Sequence, residues 1–215
     1  MNAPNPTAVR TSDLTIRRGG MVILADVSLE IGAGVFALLG DNGTGKSTLL
    51  RALAGIQPPA TGTVHLDGHD LWHEPIAARR AMGYLPESPD LFPYLTAREL
   101  LHTANGVRGL PPETGEAQFS RWVRPEALDL RIGSLSAGQR RKLALVAATA
   151  HEPRIVLLDE PANTLDEAAT ADLTQMLVEW RDAGRTVIAA THRPDALDGI
   201  CDGRLRVADH TVVRS

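Results

Sequence analysis

The chain has 215 residues, of which 43% are hydrophobic and 22% charged, a composition typical of a globular protein and not of a disordered one. Its 22 basic and 26 acidic residues give a formal net charge of −4, which disfavours a generally basic nucleic-acid binder and a polybasic membrane protein. The sequence has one cysteine, no apolar run of the roughly 18 residues that a spanning helix needs, and no secretory signal at its start. We therefore expect a cytoplasmic protein without disulfides that does not itself cross a membrane.

The elements predicted from apolar periodicity alternate between strands and helices. Apolar and polar residues alternate at 27–31, as in a half-buried strand, whereas the run at 35–39 is continuously apolar, as in a strand covered on both faces. Strands that alternate with helices predict a parallel sheet with helices on its faces. The remaining predicted elements are a helix from Lys46 to about Gly55, a strand at 63–68 that closes with an Asp-Gly turn, buried strands at 155–158 and 186–190, and helices within 89–150 and at 167–183.

A single α/β domain over residues 1–215 accounts for this order of elements. The helical middle, residues 89–150, is interrupted by glycines and prolines and lies between two sheet-forming parts. We interpret it as an inserted helical subdomain, with residues 1–88 and 151–215 forming the core of the domain.

A phosphate-binding loop (P-loop) follows the apolar strand at 35–39. Residues 40–47 match the pattern G-x-x-x-x-G-K-[ST] at every fixed position, with the strand before and the helix after that the pattern requires. Inward N–H groups and the helix N-terminus would cradle an anion. We expect Lys46 to reach the β- and γ-phosphates of a nucleotide and Ser47 to bind Mg²⁺; the alternative is a glycine-rich turn that opens a helix by chance. The predicted nucleotide-binding residues here are Gly40, Asp41, Asn42, Gly43, Thr44, Gly45, Lys46, Ser47 and Thr48.

Two carboxylates end the apolar strand at 155–158. A P-loop requires a carboxylate at the end of a neighbouring strand to hold Mg²⁺ through water, and Asp159 meets that requirement. Glu160, the next residue, lies where a general base could polarise the attacking water. The alternative, a turn that only caps the next helix, is disfavoured by the apolar strand and the P-loop.

From about residue 11 to residue 212 the sequence resembles the ATP-binding subunit of ABC transporters. The most specific element is the segment Leu-Ser-Ala-Gly-Gln at 135–139, which is similar to the family's signature L-S-G-G-Q with alanine in place of the first glycine. In the family the signature of one subunit closes over the γ-phosphate held by the P-loop of another. The resemblance therefore implies that Ser136, Gly138 and Gln139 contact a partner's ATP, although Ser136 is also an ordinary helix N-cap.

The resemblance assigns roles to two later residues. The segment 163–166 is similar to the family's D-loop, with asparagine where serine is usual, and implies that Asp166 contacts the partner's P-loop. His192, just past the strand at 186–190, falls at the family's switch histidine, which hydrogen-bonds the γ-phosphate and orients water. A lone histidine after a strand is more often structural, so this role depends on its place in the series of motifs.

Two positions depart from the family pattern. Glu87 stands where the family has the glutamine that links Mg²⁺ to the transmembrane partner. A carboxylate also binds Mg²⁺, and glutamate here is similar to bacterial drug, lipid and polysaccharide exporters. Arg18 falls near the aromatic residue that usually stacks on adenine. A guanidinium plane can stack on a base and can equally be a solvated surface group, so both interpretations stay open.

Three other features are not interpreted as separate sites. His65, His69 and His73 are spaced by four, but the Asp-Gly turn between the first two breaks any helix that would align them, so a metal site is disfavoured. Cys201 is interpreted as a small buried apolar residue. The stretch 91–101 is interpreted both as core and as the groove that, in the family, receives a coupling helix of the membrane partner.

The resemblance implies a P-loop ATPase fold with a parallel sheet flanked by helices, an N-terminal antiparallel β part and an inserted helical subdomain. It also implies an ATPase that powers a separate transmembrane permease from the inner face of the cell membrane. Two copies, or this chain and a similar one, would sandwich two ATP molecules with Mg²⁺ head to tail. Glu87 favours export, and the short chain also resembles the ATPase of the haem exporter used in cytochrome c maturation.

Other functions are weighed against this one. A regulatory module that binds nucleotide with little turnover is an alternative, and Glu160 and His192 argue against it because a degenerate site typically lacks them. An ABC protein of DNA repair or translation would need a long insertion or a second ATPase domain, for which 215 residues have no room. Guanine nucleotide is disfavoured because no Asn-Lys-x-Asp motif occurs.

Overall fold

The computed structural model describes residues 7–192, 197 and 199–214. Two short 3-10 helices, Pro125–Asp129 and Ile132–Ser134, lie within the helical middle, residues 89–150. The strands and α-helices are, in chain order, β1 (Val9–Arg18), β2 (Met21–Ile31), β3 (Gly34–Leu39), α1 (Lys46–Leu53), β4 (Thr61–Leu66), β5 (His69–Asp70), α2 (Pro75–Arg80), β6 (Met82–Leu85), α3 (Ala97–Arg108), α4 (Glu116–Trp122), α5 (Ala137–Thr149), β7 (Ile155–Asp159), α6 (Glu167–Asp182), β8 (Thr186–Ala190), β9 (Gly203–Ala208) and β10 (Thr211–Arg214).

Among the described residues the strands form two sheets. The smaller sheet is antiparallel, with the order β2-β1-β4-β5, and the larger has the order β10-β9-β3-β8-β7-β6. In the larger sheet β9, β3, β8, β7 and β6 run parallel, and β10 pairs antiparallel with β9. The predicted fold class, a parallel sheet flanked by helices together with an N-terminal antiparallel β part, is confirmed.

Strand β3 shows why the run at 35–39 is continuously apolar. Phe36 and Leu38 belong to the apolar cluster that contains the leucines of α1, whereas Val35 and Ala37 belong to the cluster that contains the apolar residues of α6. Because successive side chains point to opposite faces of a sheet and both faces are covered, every position of the strand is apolar. Strands β7 and β8 are buried at every residue for the same reason.

The three histidines of the β4–β5 region do not lie on a helix, and His73 falls in the turn between β5 and α2. The turn between β4 and β5 has positive φ at Asp67 and Gly68, as the Asp-Gly pair predicted, and it places His65 on β4 and His69 on β5. Cys201 is half-buried beside the α6 cluster, so it is less buried than predicted.

The helices α3, α4 and α5 share a third apolar cluster, which includes Leu101, Phe119 and Leu143. At its edge the Glu116 carboxylate of α4 accepts hydrogen bonds from Arg98 and His102 of α3, the latter at 2.6 Å between Nε2 and Oε1. None of the helices in the described part of the chain is both long and apolar enough to cross a membrane.

The stretch 91–101 is partly core and partly surface. Leu91 and Leu95 pack against the third cluster, whereas Phe92 and Tyr94 are 52% and 65% exposed, with ring centroids 5.9 Å apart. The core part of the interpretation is confirmed, and the groove for a coupling helix stays a prediction.

Candidate nucleotide site

The loop between β3 and α1 contains the predicted P-loop. Gly45 precedes the first residue of α1 and has a φ of 113°, in the left-handed region that favours glycine. A Cβ on Gly40 would lie 2.7 Å from the carbonyl oxygen of Val207, so glycine is also required there for close packing. Of the other members, Asp41, Asn42 and Gly43 are exposed, and Thr44, Ser47 and Thr48 are half-buried.

Lys46 is 7% exposed, and its ammonium group lies against the P-loop backbone. Its Nζ donates to the carbonyl oxygens of Gly40, at 2.6 Å, and Asp41, at 3.1 Å. A buried ammonium needs acceptors, and these two carbonyls supply them. The positive charge is therefore held at the loop where the motif predicts the phosphates.

Asp159 lies at the end of β7 and is 1% exposed. Burial raises the pKa of its carboxyl group, as does the nearby charge of Glu87, whereas a hydrogen bond with the Ser47 side chain acts in the opposite direction. Among the described residues, Asp159 Oδ2 has no hydrogen-bond partner. A buried carboxylate oxygen that lacks a protein partner is what a cation-binding site requires.

Glu160 and His192 contact each other across the carboxyl ends of two adjacent strands. Nδ1 of His192 lies 2.9 Å from Oε2 of Glu160, whose side chain is 13% exposed, against 57% for the histidine. The backbone N–H of Glu160 donates to the carbonyl of Ala190, which extends the ladder between β7 and β8 to this residue. The sequence motifs predict the two residues separately but not their contact.

Glu87 and Arg18 lie at the margins of this region. Glu87 follows β6 and its side chain is exposed, although its charge is close enough to influence the pKa of Asp159. Arg18 is exposed at the end of β1, before a turn with positive φ at Gly19 and Gly20. The guanidinium of Arg18 is therefore accessible from solvent.

The signature segment forms the start of α5. Ser136 is its N-cap: the serine hydroxyl accepts from the N–H of Gln139 at 3.1 Å, and the Gln139 side chain accepts from the N–H of Ser136 at 2.9 Å. This capping box satisfies two N–H groups at the helix start, so the N-cap interpretation of Ser136 is confirmed. A Cβ on Gly138 would lie 3.3 Å from the carbonyl oxygen of Thr164, so the signature packs against the predicted D-loop.

Asp166 is the N-cap of α6, and its Oδ1 accepts from the N–H of Ala169 at 2.8 Å. The starts of α5 and α6 border one cleft of about 700 Å³, called here the signature cleft. Its lining residues are Trp122, Val123, Arg124, Ser136, Ala137, Gly138, Gln139, Lys142, Thr164, Leu165, Asp166 and Ala169.

A second cleft of about 410 Å³, called here the P-loop cleft, is bordered by Gly40, Asp41 and Thr44 together with His192. Among the described residues, the two clefts have no lining residue in common. The structure therefore does not bring the predicted signature residues onto the P-loop of the same chain.

The sequence analysis did not single out Arg141. It lies in the run Arg-Arg-Lys at 140–142, which reads as a solvated basic face, yet it is 4% exposed and its guanidinium contacts the backbone of both Glu87 and Glu160. The residue types in the run carry no signal that separates the buried arginine from its neighbours.

Comparisons with known proteins identify the family of this chain. The sequence profile of the ABC transporter family matches residues 24–163. ATP-binding cassette sub-family A member 7 of Rattus norvegicus is 36% identical over 170 residues, which are 77% of this chain and 8% of that protein. An uncharacterized ABC transporter ATP-binding protein of Bacillus subtilis is 33% identical, over 86% of this chain and 61% of that protein. An Fe(3+) ions import ATP-binding protein of Streptomyces coelicolor is 32% identical, over 98% of this chain and 62% of that protein.

This chain therefore spans less than two thirds of the length of these relatives. A solved structure of the ATP-binding subunit of an ABC transporter superposes with a TM-score of 0.89 and 28% identity, over 97% of this chain and 90% of that one. The ADP conformation of another ATP-binding cassette superposes with a TM-score of 0.78 at 20% identity, which supports the fold alone.

By fold and site the chain is a P-loop nucleotide-binding domain. It belongs to the ABC transporter family, and its relatives in that family include ATP-binding subunits. The ATP-binding domains of the family bind ATP, generally with Mg²⁺, and hydrolyse it.

Proposed function

We propose that this chain is the ATP-hydrolysing subunit of an exporter, and that it powers a separate permease from the cytoplasmic face of the membrane. The contact between Glu160 and His192, beside the P-loop, carries the proposal. A carboxylate and an imidazole that are 2.9 Å apart can together orient a water molecule and accept its proton. A regulatory module with little turnover would not need such a pair.

The oxygen atoms beside the P-loop fit Mg²⁺. The unpartnered Oδ2 of Asp159, the Ser47 hydroxyl and the Glu87 carboxylate are hard oxygen donors, which this ion prefers. We assign Ser47 and Glu87 as ligands of Mg²⁺ and Asp159 as a ligand through water. The bound ion would neutralise charge on the β- and γ-phosphates.

The chain's own residues divide the remaining work. Lys46 would exchange its two carbonyl acceptors for phosphate oxygens, and the P-loop N–H groups would hold the same phosphates. Glu160 would accept the proton of the attacking water. His192 would orient Glu160 and contact the γ-phosphate, and Arg18 is proposed to lie against the adenine.

The separation of the two clefts supports an assembly of two chains. In a head-to-tail dimer of this chain, or of this chain and a similar one, Ser136, Gly138, Gln139 and Asp166 of each copy would complete the other copy's site. In this proposal residues 1–88 and 151–215 form the nucleotide-binding core, and residues 89–150 form the helical subdomain that presents the signature.

The change Glu160→Gln tests the catalytic half of the proposal. Because an amide cannot accept the proton of water, we expect steady-state ATP hydrolysis to fall at least about 1000-fold while MgATP still binds and promotes dimers. Hydrolysis, nucleotide affinity and oligomeric mass are measured on the same preparations. Glu113→Gln, an exposed carboxylate that lines neither cleft, is the matched control. Undiminished hydrolysis by Glu160→Gln, or wild-type protein that binds MgATP without turnover, would contradict the assignment.

The transport half is tested with the permease that co-purifies with the full chain from its native membranes. The pair is placed in proteoliposomes with this chain on the outer side, and ATP is added outside. An exporter should move the candidate substrate into the lumen, away from the ATPase, with no movement in the Glu160→Gln preparation. Movement from the lumen to the outside would instead identify an importer, as in the iron-import relative.

A further inference from the structure

Arg141 is a buried cation where α5 meets two loops of the nucleotide site. It is 4% exposed, and its guanidinium donates four hydrogen bonds of 2.5 to 2.7 Å and one of 3.4 Å to backbone carbonyls. The acceptors are the carbonyl oxygens of Pro86 and Glu87, bonded by Nη1, of Asp159 and Glu160, bonded by Nη2, and of Pro161, bonded by Nε.

Burial of the Arg141 guanidinium destabilises the protein unless both loops keep their carbonyl oxygens within hydrogen-bond distance of it. Burial lowers the pKa of Arg141, and the charges of Asp159, Glu87 and Glu160 act in the opposite direction. A buried cation that loses its acceptors is left uncompensated, which strongly destabilises a protein. The conformation of the arginine is therefore tied to the positions of both carbonyl pairs.

The geometry of a guanidinium explains why arginine suits this position. Its donors lie in one plane and in fixed directions, so that Nη1 and Nη2 can each bond one pair of carbonyls at once. A lysine ammonium has three donors at a single point and cannot reach both pairs with the same alignment. The distance between the backbone of residue 87 and that of residue 160 is thus set by the width of one planar group.

We propose that Arg141 is a positioning residue, which holds the Glu87 loop and the Asp159–Glu160 loop in the arrangement that binds Mg²⁺ and activates water. The inference rests on the proposed function for the roles of those carboxylates. Because Arg141 lies on the helix that begins with the signature, it also connects the signature segment to the Glu87 loop and the Asp159–Glu160 loop within one chain.

The first test uses hydrogen exchange of the nucleotide-free full chain. In Arg141→Gln the non-proline amides within residues 87–90 and 160–163 should exchange at least about 10-fold faster, because both loops lose their common partner. Arg141→Lys should lie between wild type and Arg141→Gln. Arg108→Gln is the matched control, since Arg108 also donates to two backbone carbonyls, those of Ala104 and Ala147, away from either loop.

The second test compares ATP affinity with Mg²⁺ and with EDTA. Arg141→Gln should reduce the strengthening of ATP binding by Mg²⁺ about 10-fold, as loss of a ligand-orienting group does. Its Mg²⁺-free ATP affinity should stay within about 2-fold of wild type, because none of the hydrogen bonds of Arg141 reaches the P-loop.

Unchanged exchange in both loops would overturn the proposal. So would a lower midpoint of unfolding in Arg141→Lys with an unchanged effect of Mg²⁺, which would show a structural role alone. Wild-type protein whose ATP binding ignores Mg²⁺ would contradict the proposed function instead. In that case the exchange rates still decide whether Arg141 holds the two loops.

Discussion

The P-loop cleft and the signature cleft differ in the part of the backbone that builds them. The first lies at the carboxyl ends of β9, β3 and β8, which the parallel register places side by side. The second lies where α5 and α6 begin, at the N-caps Ser136 and Asp166. The first cleft is bordered by the P-loop backbone and His192, whereas the second presents the caps and N–H groups of two helix starts.

The two clefts therefore differ in the groups that they can offer to a bound nucleotide. The P-loop cleft is bordered by His192, which contacts Glu160, and the buried Asp159 directly precedes Glu160 at the end of β7. These groups can move a proton and hold a cation. The signature cleft presents the Ser136 hydroxyl and the N-terminus of α5, which suit a phosphate, and its carboxylate, Asp166, is engaged as the N-cap of α6. Each cleft is half of the proposed site, and a two-fold axis between two copies would join unlike halves twice.

Variants that each disrupt one of the two clefts test this comparison, because each should impair ATP hydrolysis by a different route. Gly138→Val places a side chain against Thr164 in the signature cleft, which should keep the helix N–H groups from reaching the phosphate. Hydrolysis should fall about 100-fold, an effect similar to the loss of one N–H donor. The affinity of ATP for the separate chain should not change. Lys46→Ala should instead weaken ATP binding itself. Gly106→Val is the control, because a Cβ at Gly106 meets nothing within 4 Å.

A mixture of Gly138→Val and Lys46→Ala chains tests whether the P-loop cleft of one chain and the signature cleft of another form one site. About half of the dimers would be mixed, and each mixed dimer would contain one intact pair of half-sites, so about one quarter of wild-type hydrolysis should return. Hydrolysis that stays at the sum of the two variants would show that the clefts of two chains do not combine.

A smaller effect, on the free energy of unfolding, is expected at Glu116, which lines neither cleft. Burial alone would raise the pKa of Glu116, but its hydrogen bonds with His102 and Arg98 outweigh this, so the pKa is lowered. Its stabilisation is present above the unfolded pKa of about 4.3 and is lost as pH falls through the lowered folded value. Glu116→Gln should therefore reduce the free energy of unfolding by about 1.5 kcal/mol at pH 7 and flatten its fall below pH about 4.

Denaturant unfolding at several pH values measures this effect. Asp129→Asn, which removes an exposed partner of Arg98, should cost less than Glu116→Gln. The affinity of Mg²⁺-free ATP should be the same in both variants, because these residues line neither cleft. Equal losses of stability would show that burial of Glu116 does not matter.

Much of the core could be predicted because burial on both faces leaves a continuous apolar run. Strands β3, β7 and β8 have this pattern, and so they stand out in the sequence. Strand β1 does not, because its pairing with β2 shifts register three times and Asp13 has a positive φ, which interrupts the alternation. The sequence analysis likewise did not identify α2, β6, β9 and β10, which are short or lie at or near the edges of the larger sheet.

Within the candidate site, too, a local motif could be predicted from the sequence, whereas contacts between distant residues could not. The P-loop is a local motif, so spacing alone predicts its residues. The contact of Glu160 with His192 joins residues 32 positions apart and depends on the register of β7 with β8. Arg141 bonds backbone carbonyls, which every residue has, so nothing in the sequence marks its partners.

The capping box at Ser136 uses the serine oxygen as an acceptor and leaves its O–H group able to donate. In the cap the serine oxygen serves as an acceptor, so one of its two lone pairs is used and its own O–H proton is not. That proton can be donated to an arriving phosphate oxygen without opening the helix start. The residue that stabilises α5 can thus recognise an anion at no loss to the helix, and Ser136→Ala would remove both functions together.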